Sequence, residues 1–179
     1  GGSELVVSNE AAAIAVSQVF LNTNIAAAGG VVATLVTSQV ATKKMDITMA
    51  MNGAIAGLVA ITAAPSAPTA GAALMIGAVG GIIVYFSLII LDRRFGIDDP
   101  VGAISAHGVV GIWGVMAVVF TGGSLVDQFV GVVAIAGFTY LMSLLTILFI
   151  DRFITIRATD AEQELGLDAS EIGVKSTTY

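Results

Sequence analysis

Cysteine is absent from this chain, which excludes disulfides, a thiol nucleophile and thiolate metal ligation. Histidine occurs once, as His107, and a lone histidine without cysteines argues against a zinc site. Charge is scarce as well: 11% of residues are Asp, Glu, Lys or Arg, against roughly 25% in a soluble domain. Nothing basic or aromatic is arranged along the chain for nucleic acid. The start, Gly1-Gly2-Ser3-Glu4, has no basic region ahead of an apolar one, so no secretory signal is read there. It resembles the interior of a protein more than a natural beginning.

What remains is apolar. Of 179 residues 56% are hydrophobic, and the mean hydropathy is +0.96. Long stretches contain no charge at all. Ala11 to Thr42 is one, and Ser8-Asn9-Glu10 offers capping side chains in front of it. Its polar residues Ser17, Gln18, Asn22, Thr23 and Asn24 are expected to face other helices. Ile47 to Leu91 is another, but Pro65-Ser66-Ala67-Pro68-Thr69 divides it, since each proline breaks the helical hydrogen-bond ladder. Asp98-Asp99-Pro100 then suggests a helix start, with proline in the first turn and carboxylates at the positive end of the dipole. The expected spans lie near 11–41, 46–63, 70–91, 100–120 and 127–152. They form a transmembrane domain over 1–157, followed by an acidic cytoplasmic tail over 158–179. The class is an all-α, multi-pass membrane protein.

All seven basic residues, Lys43, Lys44, Arg93, Arg94, Arg152, Arg157 and Lys175, fall on one side if five spans alternate. The positive-inside rule makes that side cytoplasmic, with the N-terminus of the segment outside and the tail inside. Many of the 21 glycines lie inside spans. Gly53 and Gly57, and Gly77 and Gly81, are four apart, a spacing that lets backbones approach closely in lipid.

The stretch from Asp98 to Gly114 carries the chemistry. His107 stands in it without another charged residue until Asp127, and Gly108, Gly111 and Gly114 are expected to leave one helix face bare. Two readings stand side by side: an interior histidine whose nitrogens neighbours satisfy, or a contact on a proton or substrate pathway. No acid lies inside a span, so an intramembrane protease with a carboxylate pair and a pump with a carboxylate relay both lack their parts. A pore with one imidazole suits a small, nearly neutral permeant.

Asp98-Asp99-Pro100, followed by His107-Gly108-Val109-Val110-Gly111-Ile112-Trp113-Gly114, resembles the tenth-helix signature of the ammonium transporter family (Amt/MEP/Rh). Asn52-Gly53-Ala54-Ile55-Ala56-Gly57-Leu58-Val59-Ala60-Ile61-Thr62 is similar to that family's eighth helix. Phe20-Leu21-Asn22-Thr23 resembles the seventh, and Glu164-Leu165-Gly166-Leu167-Asp168 the tail. The resemblance implies the second half of an eleven-helix, inverted-repeat transporter fold that assembles as a homotrimer with one pore per subunit.

It further implies that His107 is the second of two mid-pore histidines and that Thr62 lies on the substrate pathway. Ser3 matches a serine of the ammonium recruitment site, although Gly1-Gly2-Ser3 also matches a common linker. The first histidine, the two gating phenylalanines and the recruitment tryptophan have no counterpart here. The partners implied are ammonium or ammonia, the bilayer, and the N-terminal half of the transporter. A PII-type regulator or a fused signalling domain at the tail is implied too, although the tail departs from the family pattern after Gly173. No cofactor and no catalytic residue are expected. The leading reading is ammonium transport. An ammonium sensor of the same fold and an inert membrane scaffold are the alternatives.

Overall fold

A computed structural model of the chain describes residues 6–173; Ser3 lies outside them. It divides into two compact units, one ending at Val132 and the other beginning at Val133. The described residues are helical wherever they are regular.

The first unit is built from helices α1 (Glu10–Thr42), α2 (Ile47–Ile61), α3 (Ala70–Phe95) and α4 (Ile104–Thr121). Their ends are fixed by side chains. Asn9 caps α1 by accepting the Ala12 amide at 2.9 Å. Lys43 ends α1 in the left-handed region at φ 60, the only non-glycine residue with positive φ among those described. Three residues later Asp46 accepts the Thr48 and Met49 amides at 2.8 and 3.1 Å and starts α2. Thr69 caps α3. Gly96, at φ 63, closes α3 with bonds of Gly96 and Ile97 to Asp92 and Leu91, satisfying carbonyls that the helix leaves open.

Small residues decide how these helices pack. Ala26 of α1 faces Gly57 of α2 and Gly77 of α3, and Gly30 of α1 faces Gly53 and Gly81. The order of these contacts makes α1 antiparallel to α2 and parallel to α3. Thr34, fully buried, donates to its own Gly30 carbonyl at 2.7 Å and to Gly81 of α3 at 2.9 Å. α4 runs along α2 and against α3. Gly114 abuts Ala60, and the Trp113 indole donates to the Ile76 carbonyl at 3.0 Å. The shared core contains Ala26, Ala56, Ala60, Ala73, Val84, Ala106 and Val110.

Several expectations need correction. α4 does not begin at Pro100, which lies in a turn; its regular part starts at Ile104. Gly102 at φ 72 separates the two, because a proline turn followed by a left-handed glycine cannot continue a right-handed helix. The first six residues of α4, Ile104–Val109, form a π turn, and Val118–Thr121 tighten to 3-10. Of Ser17, Gln18, Asn22, Thr23 and Asn24, only Asn22 is wholly buried. Ser17 and Asn24 instead bond back to their own helix, at Ala13 and Phe20.

α1, α3, α4 and α5 (Leu125–Asp151) are long and apolar enough to cross a membrane, whereas α2 is a shorter apolar helix of 15 residues. α5 continues from the first unit into the second. In the second unit, α6 (Asp160–Leu165) interrupts what was expected to be a plain acidic tail. Thr159 and Glu162 form a reciprocal capping box around its start.

Candidate pore-lining site

α2 and α4 present matching faces. Val59, Thr62 and Ala63 are spaced by three and one along the end of α2; His107, Gly111 and Val115 are each four apart along α4. These six residues line one open concavity of about 470 Å³. Two side chains singled out from sequence, His107 and Thr62, therefore meet in one place although 45 residues separate them in the chain.

His107 is exposed on this face rather than interior to the four-helix packing. It sits in the π turn, where the Val110 amide reaches back five residues to the Ser105 carbonyl. Such turns often mark functional positions. An uncharged imidazole donates from one nitrogen and accepts at the other. Thr62 offers complementary chemistry. Its hydroxyl proton is committed to the Leu58 carbonyl at 2.7 Å, so its oxygen is left to act as an acceptor.

The three glycines of α4 do not share one bare face. A side chain at Gly108 would meet only Ile104, and one at Gly111 only Val59, whereas a Cβ at Gly114 would come within 2.8 Å of the Ala60 carbonyl oxygen. Glycine is needed at 114 for packing. At 111, which lines the concavity, it keeps that space wide.

The start of α4 is held by Asp99, through contacts that spacing alone did not reveal. Its carboxylate accepts the Ile104 amide at 3.0 Å and the Ser105 amide at 2.9 Å. Ser105, fully buried, in turn accepts from the Ser87 hydroxyl of α3 at 3.0 Å. Partial burial raises the Asp99 pKa. The hydrogen bonds from the Ser105 and Ile104 amides, the Ser105 hydroxyl and the Ala103 backbone outweigh it and leave the carboxyl below its ordinary 3.8. Such a group stabilises the fold fully above 3.8, and the contribution fades as pH falls through the lowered value. Asp99→Asn turns one of the two accepting oxygens into a donor and is expected to lower stability at pH 7 by about 1 kcal/mol, as one lost hydrogen bond does. The difference from the parent chain should shrink below pH 3.8; thermal unfolding in detergent across pH checks it.

Comparison with known proteins fits this geometry. The family model described as Ammonium Transporter Family matches residues 1–177. The chain belongs to that family. An ammonium transporter of Bacillus subtilis is 34% identical over 174 residues, covering 88% of this chain and 43% of that protein. Ammonium transporter Amt2 of Archaeoglobus fulgidus is 42% identical over 110 residues, covering 61% of this chain and 23% of that protein. Among solved structures, one titled Sensor Amt Protein superposes with a TM-score of 0.80 at 29% identity, covering 88% of this chain and 42% of that one. The chain thus spans about two-fifths or less of the length of these relatives and has part of the Amt fold.

Proposed function

We propose that this chain forms one wall of an ammonium conduit, with His107 and Thr62 on the substrate pathway. The observation that supports this reading is the convergence of these two side chains on one concavity in a member of the ammonium transporter family. Ammonium is recruited at the outer mouth, where Ser3 contributes. It is deprotonated there and passes His107 as ammonia. An unpaired cation in an apolar passage costs many kcal/mol, whereas ammonia is small and uncharged, so sodium and potassium are excluded. The imidazole accepts from ammonia or donates to its lone pair, and Thr62 accepts a second hydrogen bond. Apart from that one proton, which is given up to water at the mouth, no bond of the permeant is made or broken, so the role is transport rather than enzymatic.

The opposite wall belongs to the N-terminal half of the transporter, and three subunits associate in the membrane. The basic turns at Lys43-Lys44 and Arg93-Arg94 are cytoplasmic, as is the tail, which is the contact for a PII-type regulator or a signalling domain. An impermeant maleimide added outside should reach a cysteine at 66 and not one at 44; the reverse result refutes the orientation. The second reading, ammonium sensing, is favoured by one observation, the similarity to a solved structure titled a sensor.

Flux decides between them. The complete native polypeptide in proteoliposomes should carry ammonium down its gradient and leave a potassium gradient intact. Binding of ammonium without flux would favour the sensor.

A further inference from the structure

Proline lacks an amide hydrogen, so a link containing two prolines has more carbonyls than it has amides to satisfy. The link between α2 and α3 is such a case. α2 has 15 residues, a length of about 22 Å, whereas the hydrocarbon layer is about 30 Å thick. With the charged turn Lys43–Asp46 placed at one membrane surface, α2 ends short of the other, and the link after it begins within the apolar layer, where irregular backbone is tolerated only if protein groups satisfy it. Pro65 and Pro68 are both buried.

Asn22 of α1 supplies what they lack. It has no exposed surface. Its Nδ2 donates to the Pro65 carbonyl at 2.9 Å and to the Pro68 carbonyl at 2.8 Å. Its Oδ1 accepts from Gln18 Nε2 at 3.2 Å. Both amide protons are spent on the link, and among natural side chains only asparagine and glutamine present two such donors uncharged.

This link governs the outer end of the concavity. Thr62 and Ala63 follow directly on α2 and lie within three residues of Pro65. The Thr62 amide bonds to the Val59 carbonyl, a tightened last turn rather than continuing helix. Beneath the link, a void of only about 10 Å³ separates Ala64 and Pro68 from Ala60 of α2 and from Gly114 and Val118 of α4. That holds about one water at most, so the link cannot move inward without displacing α2 or α4.

The geometry points to Asn22 as a positioning residue: its two donors hold the proline link and thereby fix where Thr62 and Ala63 stand in the concavity they share with His107. The consequence for transport rests on the conduit reading above; the positioning itself does not.

The absence of cysteine gives a clean test in the full chain reconstituted in lipid. Ala63→Cys reports on the concavity and Ser66→Cys on the link, each through its rate of maleimide labelling. Asn22→Leu keeps the size without charge and removes both donors, while Asn22→Gln is larger and keeps both. Losing two buried hydrogen bonds should raise both labelling rates about tenfold or more in the Leu variant, with the Gln variant between it and the parent. A role in packing alone predicts the opposite order, because glutamine overfills the site. That order, or unchanged rates in Asn22→Leu, overturns the proposal.

Should the Leu variant not accumulate, Asn22→Ala must label faster than Asn22→Gln, and equal rates overturn it. In the complete polypeptide, donor loss should raise the KM for ammonium more than it lowers maximal flux. If the parent carries no ammonium while the labelling order holds, the conduit reading fails and the positioning role stands.

Discussion

His107→Ala in the complete transporter is expected to reduce ammonium flux at least about tenfold, the effect of one lost hydrogen bond to a desolvated permeant. The ring is exposed in the α2–α4 concavity and lies on the same side as Thr62. Alanine leaves the passage open, so a loss of flux would come from the missing polar contact rather than from blockage. Gly108 and Gly111 add no side chain that could substitute for it. His107→Glu tests the other half of the mechanism. A carboxylate placed there would partner a cation and lower the barrier that excludes it, so potassium should begin to permeate. Paired ammonium and potassium gradients in proteoliposomes measure both effects. Parent-like rate and selectivity in both variants would mean that His107 only fills space, and the conduit mechanism would have to be dropped.

Gly57→Val is expected to prevent assembly of the first unit, and Gly57→Ala to lower its stability by about 2–3 kcal/mol, the upper end for overpacking. Gly57 meets the Ala26 carbonyl, and Gly77 meets the same carbonyl from the other side. Three backbones thus converge on one atom, and backbone cannot rotate away as a side chain can. Ala26 is completely buried there, so no neighbouring space can take up a displaced helix. Gly71→Ala in the first turn of α3 is the control. Nothing lies within 4 Å of the added carbon, and the exchange should be neutral or slightly stabilising because alanine loses less freedom in a helix than glycine. Unfolding in mixed micelles compares the three. If Gly57→Ala proved as stable as Gly71→Ala, the helices would be able to separate at this point without penalty.

Parts of this architecture were legible in sequence because they are local. A charge-free run is apolar whatever it packs against, so an all-helical membrane protein followed from composition and from Ala11–Thr42 or Ile47–Leu91 directly. The spacing of Gly53 with Gly57 and of Gly77 with Gly81 announced close helix contact, because residues four apart share a face in any helix. The signature around His107 identified the family for the same reason: it is contiguous, and no fold is needed to read it.

The start of α4 was misread because Asp98-Asp99-Pro100 carries ordinary helix-start chemistry. What displaces the helix to Ile104 is the left-handed Gly102 together with an Asp99 carboxylate reaching five and six residues ahead. Spacing rules for caps do not extend that far. Likewise, among Ser17, Asn22 and Asn24 nothing in the sequence marked Asn22 as the one turned inward. Its partners Pro65 and Pro68 lie 43 and 46 residues away.

The sequence by itself thus determined the solvent of this protein and its family, since hydropathy and contiguous motifs are properties of neighbours along the chain. Only the tertiary structure decided that His107 and Thr62 share one concavity, that Gly114 packs while Gly108 stays open, and that Asn22 holds the proline link. Each of these depends on the register and direction in which α1, α2, α3 and α4 cross. That register is set by many small backbone contacts acting together, and no single segment encodes it.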